Sequence, residues 1–151
     1  MVSPMPTVLR PARPDDFDFC ARLYFSGMAE TIRELKLDMA AQTANLRERW
    51  NAAEVEIIMS DGADIGWLQK SMQDDALYLE QIFIDTGFQN RGIGTGIINR
   101  LIDKAKQDGR PVTLGVVKIN PALRLYERLG FRVTHQDDRK FYMRRETVTA
   151  D

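Results

Sequence analysis

Residues 89 to 96 read QNRGIGTG, and Gly92, Gly94 and Gly96 crowd three glycines into five positions. An apolar, strand-like run, LYLEQIFI, comes just before, and a helix-like run, IINRLIDKAK, just after. Glycine weakens the start of a helix, so its concentration there needs a reason. The first amides of a helix have no carbonyl partner within the helix. Together with the helix dipole they make a site for anions. Glycine leaves that backbone bare, so a phosphate can come close. The competing reading is a flexible turn.

The details of the loop separate these chemistries. A P-loop ends in Gly-Lys-Ser/Thr, and no such ending exists in this chain. A dinucleotide site of the Rossmann kind uses G-x-G-x-x-G and an acid at the end of the next strand. Here Ile97 holds the third glycine position, and the next strand ends in Val117-Lys118, which is basic. The dinucleotide reading is therefore weak.

At 151 residues the chain is expected to form a single domain, 1–151, with room for a real core. The formal net charge of -1 gives no overall bias toward nucleic acid or a membrane surface, so an anion site must be local. Cys20 is the only cysteine, which excludes an internal disulfide and suits a reduced, cytoplasmic setting. The opening MVSPMPTVLRPARPDD has no apolar core of signal-peptide type, and no run is long enough to span a bilayer. The final TVTAD is expected to fray.

The elements that position the loop follow from periodicity and turn chemistry. A strand is expected at 7–13, and Pro14-Asp15-Asp16 opens a helix with acids in its first turn. A second helical region covers 33–50. Strands at 54–59 and 65–72 flank SDGAD, whose Asp-Gly suits a hairpin turn. A further turn at 73–75 leads into a strand at 76–84. After the glycines, Ile93, Ile97, Ile98, Leu101, Ile102 and Ala105 share one helical face, and Asp108-Gly109 ends the helix. The apolar strand at 111–117 completes a right-handed crossover between parallel strands. Asn120 is placed as an N-cap with Pro121 at the first helical position. Gly130 is placed to end that helix in a left-handed conformation, with Phe131 packing back on Tyr126. FRVTHQ and KFYMRRE read as two last antiparallel strands. The order β-α-α-β-β-β-α-β-α-β-β predicts an α/β (α+β) fold: a mixed sheet with helices on both faces.

Gln89, Gly92 and Gly94 fit the pattern Gln/Arg-x-x-Gly-x-Gly/Ala between a strand and a helix. In this setting the chain resembles the GNAT N-acetyltransferase superfamily, whose coenzyme A pyrophosphate motif has that form. LYLEQIFIDTGFQNRGIGTG is similar to its fourth strand, loop and third helix. VVKINPALRLYERLGF is similar to its fifth strand, Asn and Pro helix start, and L-Y-E-x-x-G-F ending. The likeness is strongest over residues 76 to 132.

The resemblance implies splayed fourth and fifth strands with the pantetheine arm between them. By the same resemblance the backbone of Ile82, Phe83 and Ile84 contacts acetyl-CoA. One of these amides would hold the acetyl carbonyl and stabilise the oxyanion of the tetrahedral intermediate. The amides of Asn90, Arg91, Gly92, Ile93, Gly94 and Thr95 would cradle the pyrophosphate. Asn120 matches an asparagine that bonds pantetheine, and its helix-capping role is an open alternative. Arg91 and Arg124 either reach the coenzyme phosphates or lie solvated on the surface. Tyr126 matches the general acid. A thiol of pKa near ~8.5 leaves better with a proton delivered, and a phenol of pKa about 10 can deliver it. The alternative is a core tyrosine packed under Phe131.

Glu80 matches a glutamate that serves some relatives as base, with a positioning or structural role equally open. Gln81 stands where polyamine acetyltransferases have an Asp, which lowers the support for a polycationic substrate. The acceptor pocket is expected from the first two helices and the last loop, with Tyr24, Glu30, Glu34, His135 and Tyr142 as candidates. No cluster has metal-ligand spacing. The implied function is an acetyl-CoA-dependent N-acetyltransferase acting on an amine by direct attack in a ternary complex, with Cys20 too distant for a covalent step. A homodimer is left open; nucleic acid, membrane and metal are not expected. The alternative of another class is a non-catalytic acyl-CoA-binding or regulatory module on the same fold.

Overall fold

The computed structural model describes residues 6–147. The expected frayed tail lies, from Val148 on, outside them. The elements are β1 (Val8–Pro11), α1 (Phe17–Glu34), α2 (Met39–Arg49), β2 (Val55–Ser60), β3 (Ala63–Gln73), β4 (Ala76–Ile84), α3 (Ile93–Gln107), β5 (Val112–Val117), α4 (Ala122–Arg128), β6 (Arg132–Gln136) and β7 (Lys140–Arg145). This is the element order read from sequence. The strands hydrogen-bond in the order β1-β2-β3-β4-β5-β7-β6. β4 and β5 pair in parallel, while β1 with β2, β2 with β3, β5 with β7 and β6 with β7 pair antiparallel.

The largest boundary difference from expectation is at the first two helices. Residues 33 and 34 belong to α1, and α2 starts only at Met39. The chain leaves α1 through Lys36 at φ 51, and the Leu37 amide donates back to the Ile32 carbonyl at 2.9 Å. This is the closing bond of a left-handed helix end, made here by a lysine where sequence would signal it with glycine. Asp38 then caps α2 by accepting from the Ala41 amide at 3.0 Å. A smaller shift occurs at α4, whose cap position is Pro121, although the Asn120 carboxamide still accepts from the Ala122 amide at 2.9 Å. Pro14–Asp16 forms a 3-10 turn ahead of α1.

Two compact units divide the chain, one holding residues up to 69 with Gln81–Gly94, the other Lys70–Glu80 with residues from 95 on. In the first unit Cys20, Leu23 and Tyr24, on one face of α1, join Leu46, Val55, Ile57 and Trp67 in a buried cluster. Each such fully buried large side chain contributes about 1.5–3 kcal/mol. Phe83 packs against this cluster.

In the second unit β5 pairs with β7 along its whole length, from Val112↔Arg145 to Val117↔Lys140. The ladder between β4 and β5 covers Leu77↔Val112, Tyr78↔Thr113 and Leu79↔Leu114, and both strands continue beyond it. All six residues of the expected α3 face are buried, Ile93 in the first unit and Ile97 through Ala105 in the second. Gly130, at φ 97, closes α4 with the Phe131 amide bonded to the Tyr126 carbonyl at 3.0 Å.

One ionic cluster in the first unit ties β1, the turn ahead of α1 and β3 together. Arg10 donates to both oxygens of buried Asp16, at 2.9 and 3.0 Å, and to Asp64 at 3.0 Å. The Asp16 carboxylate also accepts from the Arg13 amide at 2.8 Å. The Arg10 guanidinium holds the Asp16 carboxyl below its ordinary value, against the opposing effect of burial. A depressed folded pKa contributes stability that is present above the unfolded value, about 3.9, and is lost as pH falls through the folded one. Asp16→Asn should therefore cost about 1–3 kcal/mol at pH 7, with the gap from wild type closing as pH drops to ~3. Urea denaturation at both pH values checks this; an equal gap at both would mean that the charge of Asp16 is not what stabilises the fold.

Candidate active site

The end of β4, in the first unit, has a defined orientation. The Asp85 amide donates to the Ile65 carbonyl of β3 at 2.8 Å. The Phe83 carbonyl also lies against β3: a Cβ built on Gly66 would stand 2.5 Å from its oxygen. In a planar trans peptide the carbonyl and the amide point in opposite directions. The Ile84 amide, which shares a peptide with the Phe83 carbonyl, therefore points away from β3. The Ile84 carbonyl, which shares a peptide with the Asp85 amide, does so too. That carbonyl accepts from the Gln89 side chain at 2.8 Å. Gln89 thus ties the glycine loop to the end of β4.

The loop is shaped by short-range bonds. Asp85 caps a 3-10 turn, Thr86–Phe88, by accepting from the Gly87 amide at 3.2 Å. Asn90 and Gly92 take left-handed φ values of 62 and 78. The Arg91 guanidinium lies over the Phe88 ring at 5.5 Å. α3 then starts at Ile93, which is buried and anchors the helix start.

Gly94 and Gly96 differ from Gly92. Neither has a left-handed φ, and a Cβ on either would meet nothing within 4 Å. The packing of the protein gives no reason for glycine at these two positions, although each costs the helix about 1 kcal/mol relative to alanine. The space a Cβ would occupy at either position is open.

The second unit holds Glu80, Thr95, Asn120, Arg124 and Tyr126. The Tyr126 ring meets the Phe131 ring edge-on, with centroids 5.8 Å apart, as expected from the helix ending. Its hydroxyl bonds to no protein group among the described residues. Burial pushes the Tyr126 phenol above its ordinary value. Asn120 spends its side-chain oxygen on the start of α4. Arg124 is exposed, and Glu80 is half-buried on β4.

Of the acceptor candidates, Tyr24 lies in the core of the first unit, its hydroxyl 3.3 Å from the Gln42 side chain. Glu30 and Glu34 are exposed on α1. In the second unit His135 stacks on Tyr142 at 4.6 Å, and the Tyr142 hydroxyl donates to Asp137 at 2.8 Å. Asp137 also accepts from the Arg139 and Lys140 amides, and these bonds hold its carboxyl down at about 2. Cys20 is fully buried, and loss of solvent pushes its thiol up to about 12. Gly27 and Gly66 stand outside every motif, but each carries a signal in sequence: a glycine inside a helix and a glycine inside a strand.

The acetyltransferase (GNAT) family matches residues 24–131, well over half of the chain. The chain belongs to the GNAT acetyltransferase family. Acetyl transfer from acetyl-CoA is general to that family. An uncharacterised N-acetyltransferase of Methanocaldococcus jannaschii is 39% identical over 70 residues, which is 45% of this chain and 31% of that protein. The spore coat polysaccharide biosynthesis protein SpsD of Bacillus subtilis is 37% identical over 82 residues, 52% of this chain and 28% of that protein. The matched stretch is thus less than a third of either relative.

Among solved structures, the PaiA N-acetyltransferase from Thermoplasma acidophilum, in complex with coenzyme A, superposes with a TM-score of 0.77 at 15% identity, covering 94% of this chain and 99% of that one. Ard1 from Thermoplasma volcanium gives 0.69 at 18% identity, covering 95% and 99%. At such identities the likeness is one of fold, and the mixed seven-stranded sheet of this GNAT protein with its four helices is that fold.

The contrast among the loop glycines has a direct test. Gly94→Ala and Gly96→Ala should each leave stability unchanged or raise it by up to about 1 kcal/mol, because helix propensity improves and nothing is displaced. Gly92→Ala should lower it, because its φ is left-handed. Equal losses at Gly92 and Gly94 in thermal denaturation would show that packing demands both glycines.

Proposed function

We propose that this chain is an N-acetyltransferase, with residues 1–151 as one catalytic domain, that moves the acetyl group of acetyl-CoA to a primary amine of a small molecule or peptide. The observation that carries this reading is the bare start of α3, where Gly94 and Gly96 face open space. The coenzyme A complex of the T. acidophilum protein supports it by analogy of fold. Acetyl-CoA supplies an acyl group activated as a thioester.

The chain's own residues have distinct tasks in this reading. The amides of Asn90, Arg91, Gly92, Ile93, Gly94 and Thr95 hold the pyrophosphate at the helix start. Ile82, Phe83 and Ile84 offer backbone groups to the pantetheine and acyl carbonyl, and the Ile84 amide is the donor turned away from β3. Asn120 bonds the pantetheine with the half of its carboxamide that the helix cap leaves over. Tyr126 delivers a proton to the departing sulfur. An ordinary phenol, pKa about 10, is already protonated at neutral pH; burial pushes this one further up, and no protein group competes for its hydroxyl among the described residues. An alkyl ammonium has no lone pair, so a group must take its proton before attack. Glu80 takes or positions it. Attack is direct: Cys20, buried with its thiol raised to about 12, is no acyl carrier at neutral pH. The uncommitted Tyr126 hydroxyl also favours an enzyme over a non-catalytic acyl-CoA-binding module.

Free-thiol release from acetyl-CoA with a panel of amines tests the activity. Tyr126→Phe should fold like wild type, since the ring still meets Phe131. Its single-turnover rate should fall by ~10²-fold or more, with acetyl-CoA affinity little changed. A wild-type rate in the folded variant removes Tyr126 from catalysis.

Gly94→Glu brings a charged side chain into the phosphate path. It should abolish the rise in melting temperature that acetyl-CoA gives the wild-type chain. Stabilisation of wild type by NADH and not by acetyl-CoA would overturn the reading as a whole.

A further inference from the structure

Two glycines on different elements of the first unit converge on Phe83. Gly27 lies within α1, where a glycine costs helix stability, and its φ is not left-handed. A Cβ there would stand 2.6 Å from Cδ1 and 2.8 Å from Cε1 of the Phe83 ring. The ring is confined on other sides: Tyr24 meets it edge-on at 5.4 Å and fully buried Trp67 lies at 5.6 Å. Gly66, on β3, makes room for the other end of the same residue. A Cβ there would stand 2.5 Å from the Phe83 carbonyl oxygen and 3.0 Å from Ile84 Cδ1. One glycine admits the ring and the other admits the carbonyl.

We propose that Gly27 and Gly66 are positioning residues: by admitting the Phe83 ring and carbonyl, they set the tilt of the Phe83–Ile84 peptide and so the direction of the Ile84 amide. The inference rests on the reading of that amide as a donor to the acyl carbonyl. A side chain at 27 displaces the ring, and a side chain at 66 displaces the carbonyl itself. Either change swings the next amide, because the peptide is rigid and planar. A donor aimed at developing charge loses its effect when misdirected. Simple space-filling glycines would affect stability only.

The test uses the full chain, isotope-labelled, with acetyl-CoA as the probe. In wild type the Ile84 amide resonance should move as acetyl-CoA is added. In Gly27→Ala, where helix propensity favours folding, that response should be lost. With an amine taken from the panel, kcat should fall by ~10-fold or more while KM for acetyl-CoA changes less. Phe83→Leu placed in the Gly27→Ala chain removes the clashing ring and should restore both the response and part of the rate. Gly66→Ala should act as Gly27→Ala does, without rescue by Phe83→Leu, because the obstructed atom is backbone. An Ile84 amide that acetyl-CoA leaves unmoved in wild type overturns the reading beneath the proposal, and the proposal with it. An amide that responds equally in wild type and Gly27→Ala, with only the melting temperature lowered, overturns the proposal alone. So does a double variant no better than Gly27→Ala.

Discussion

A planar trans peptide cannot present its carbonyl and its amide on the same side. At the end of β4 this constraint decides which groups are held by β3 and which face the other way. The Asp85 amide is bonded to Ile65, and the Phe83 carbonyl is pressed to Gly66. Both facts put the amide and the carbonyl of Ile84 on the opposite edge. Gln89 then takes the Ile84 carbonyl. The strand end and the glycine loop are thereby built as one piece, since the residue that opens the loop motif also completes the strand's hydrogen bonding. The end of β4 and the loop up to Gly94 are held in one unit by short local bonds.

Glycine serves three different ends in this chain, and the distinction carries most of the functional argument. Gly92 and Gly130 have left-handed φ values that other residues reach only at a cost. Gly27 and Gly66 have ordinary φ values, but atoms of Phe83 occupy the space a side chain would need. Gly94 and Gly96 have neither reason. A residue that weakens a helix without helping the fold is the kind of local inconsistency that marks a functional position. An open turn needs no helix behind it, whereas here α3 starts at Ile93 and carries both glycines in its first turn.

The element order, the α3 face and the Gly130 ending were legible in sequence because each depends on local periodicity or on one residue's φ. Ile93, Ile97, Ile98, Leu101, Ile102 and Ala105 needed only a 3.6-residue repeat to be recognised, and all are buried. The break between α1 and α2 was not legible, because Lys36 takes the left-handed position that usually announces itself as glycine. Within the site, the motif residues could be named, but the edge each backbone group faces could not. Ile82, Phe83 and Ile84 look equivalent in sequence; their alternation is fixed by the bond from Asp85 to Ile65, a contact between strands. The Arg10–Asp16–Asp64 cluster was hidden for the same reason, since Asp64 comes from β3, far along the chain. The roles of Gly27 and Gly66 likewise depend on a third element, β4.

Tyr126 shows how far packing alone can explain a residue. Its ring has a clear structural task. The amide of Phe131 closes on the Tyr126 carbonyl, and the two rings meet edge-on. Phenylalanine would perform that task equally well. The hydroxyl adds nothing to it: it has no protein partner among the described residues. Tyr24 and Tyr142 offer the contrast within the same chain, because their hydroxyls meet Gln42 and Asp137. The fold itself gives no reason for this hydroxyl, and the proposed function assigns it to a partner that arrives with the substrate. In that proposal the partner is the departing sulfur.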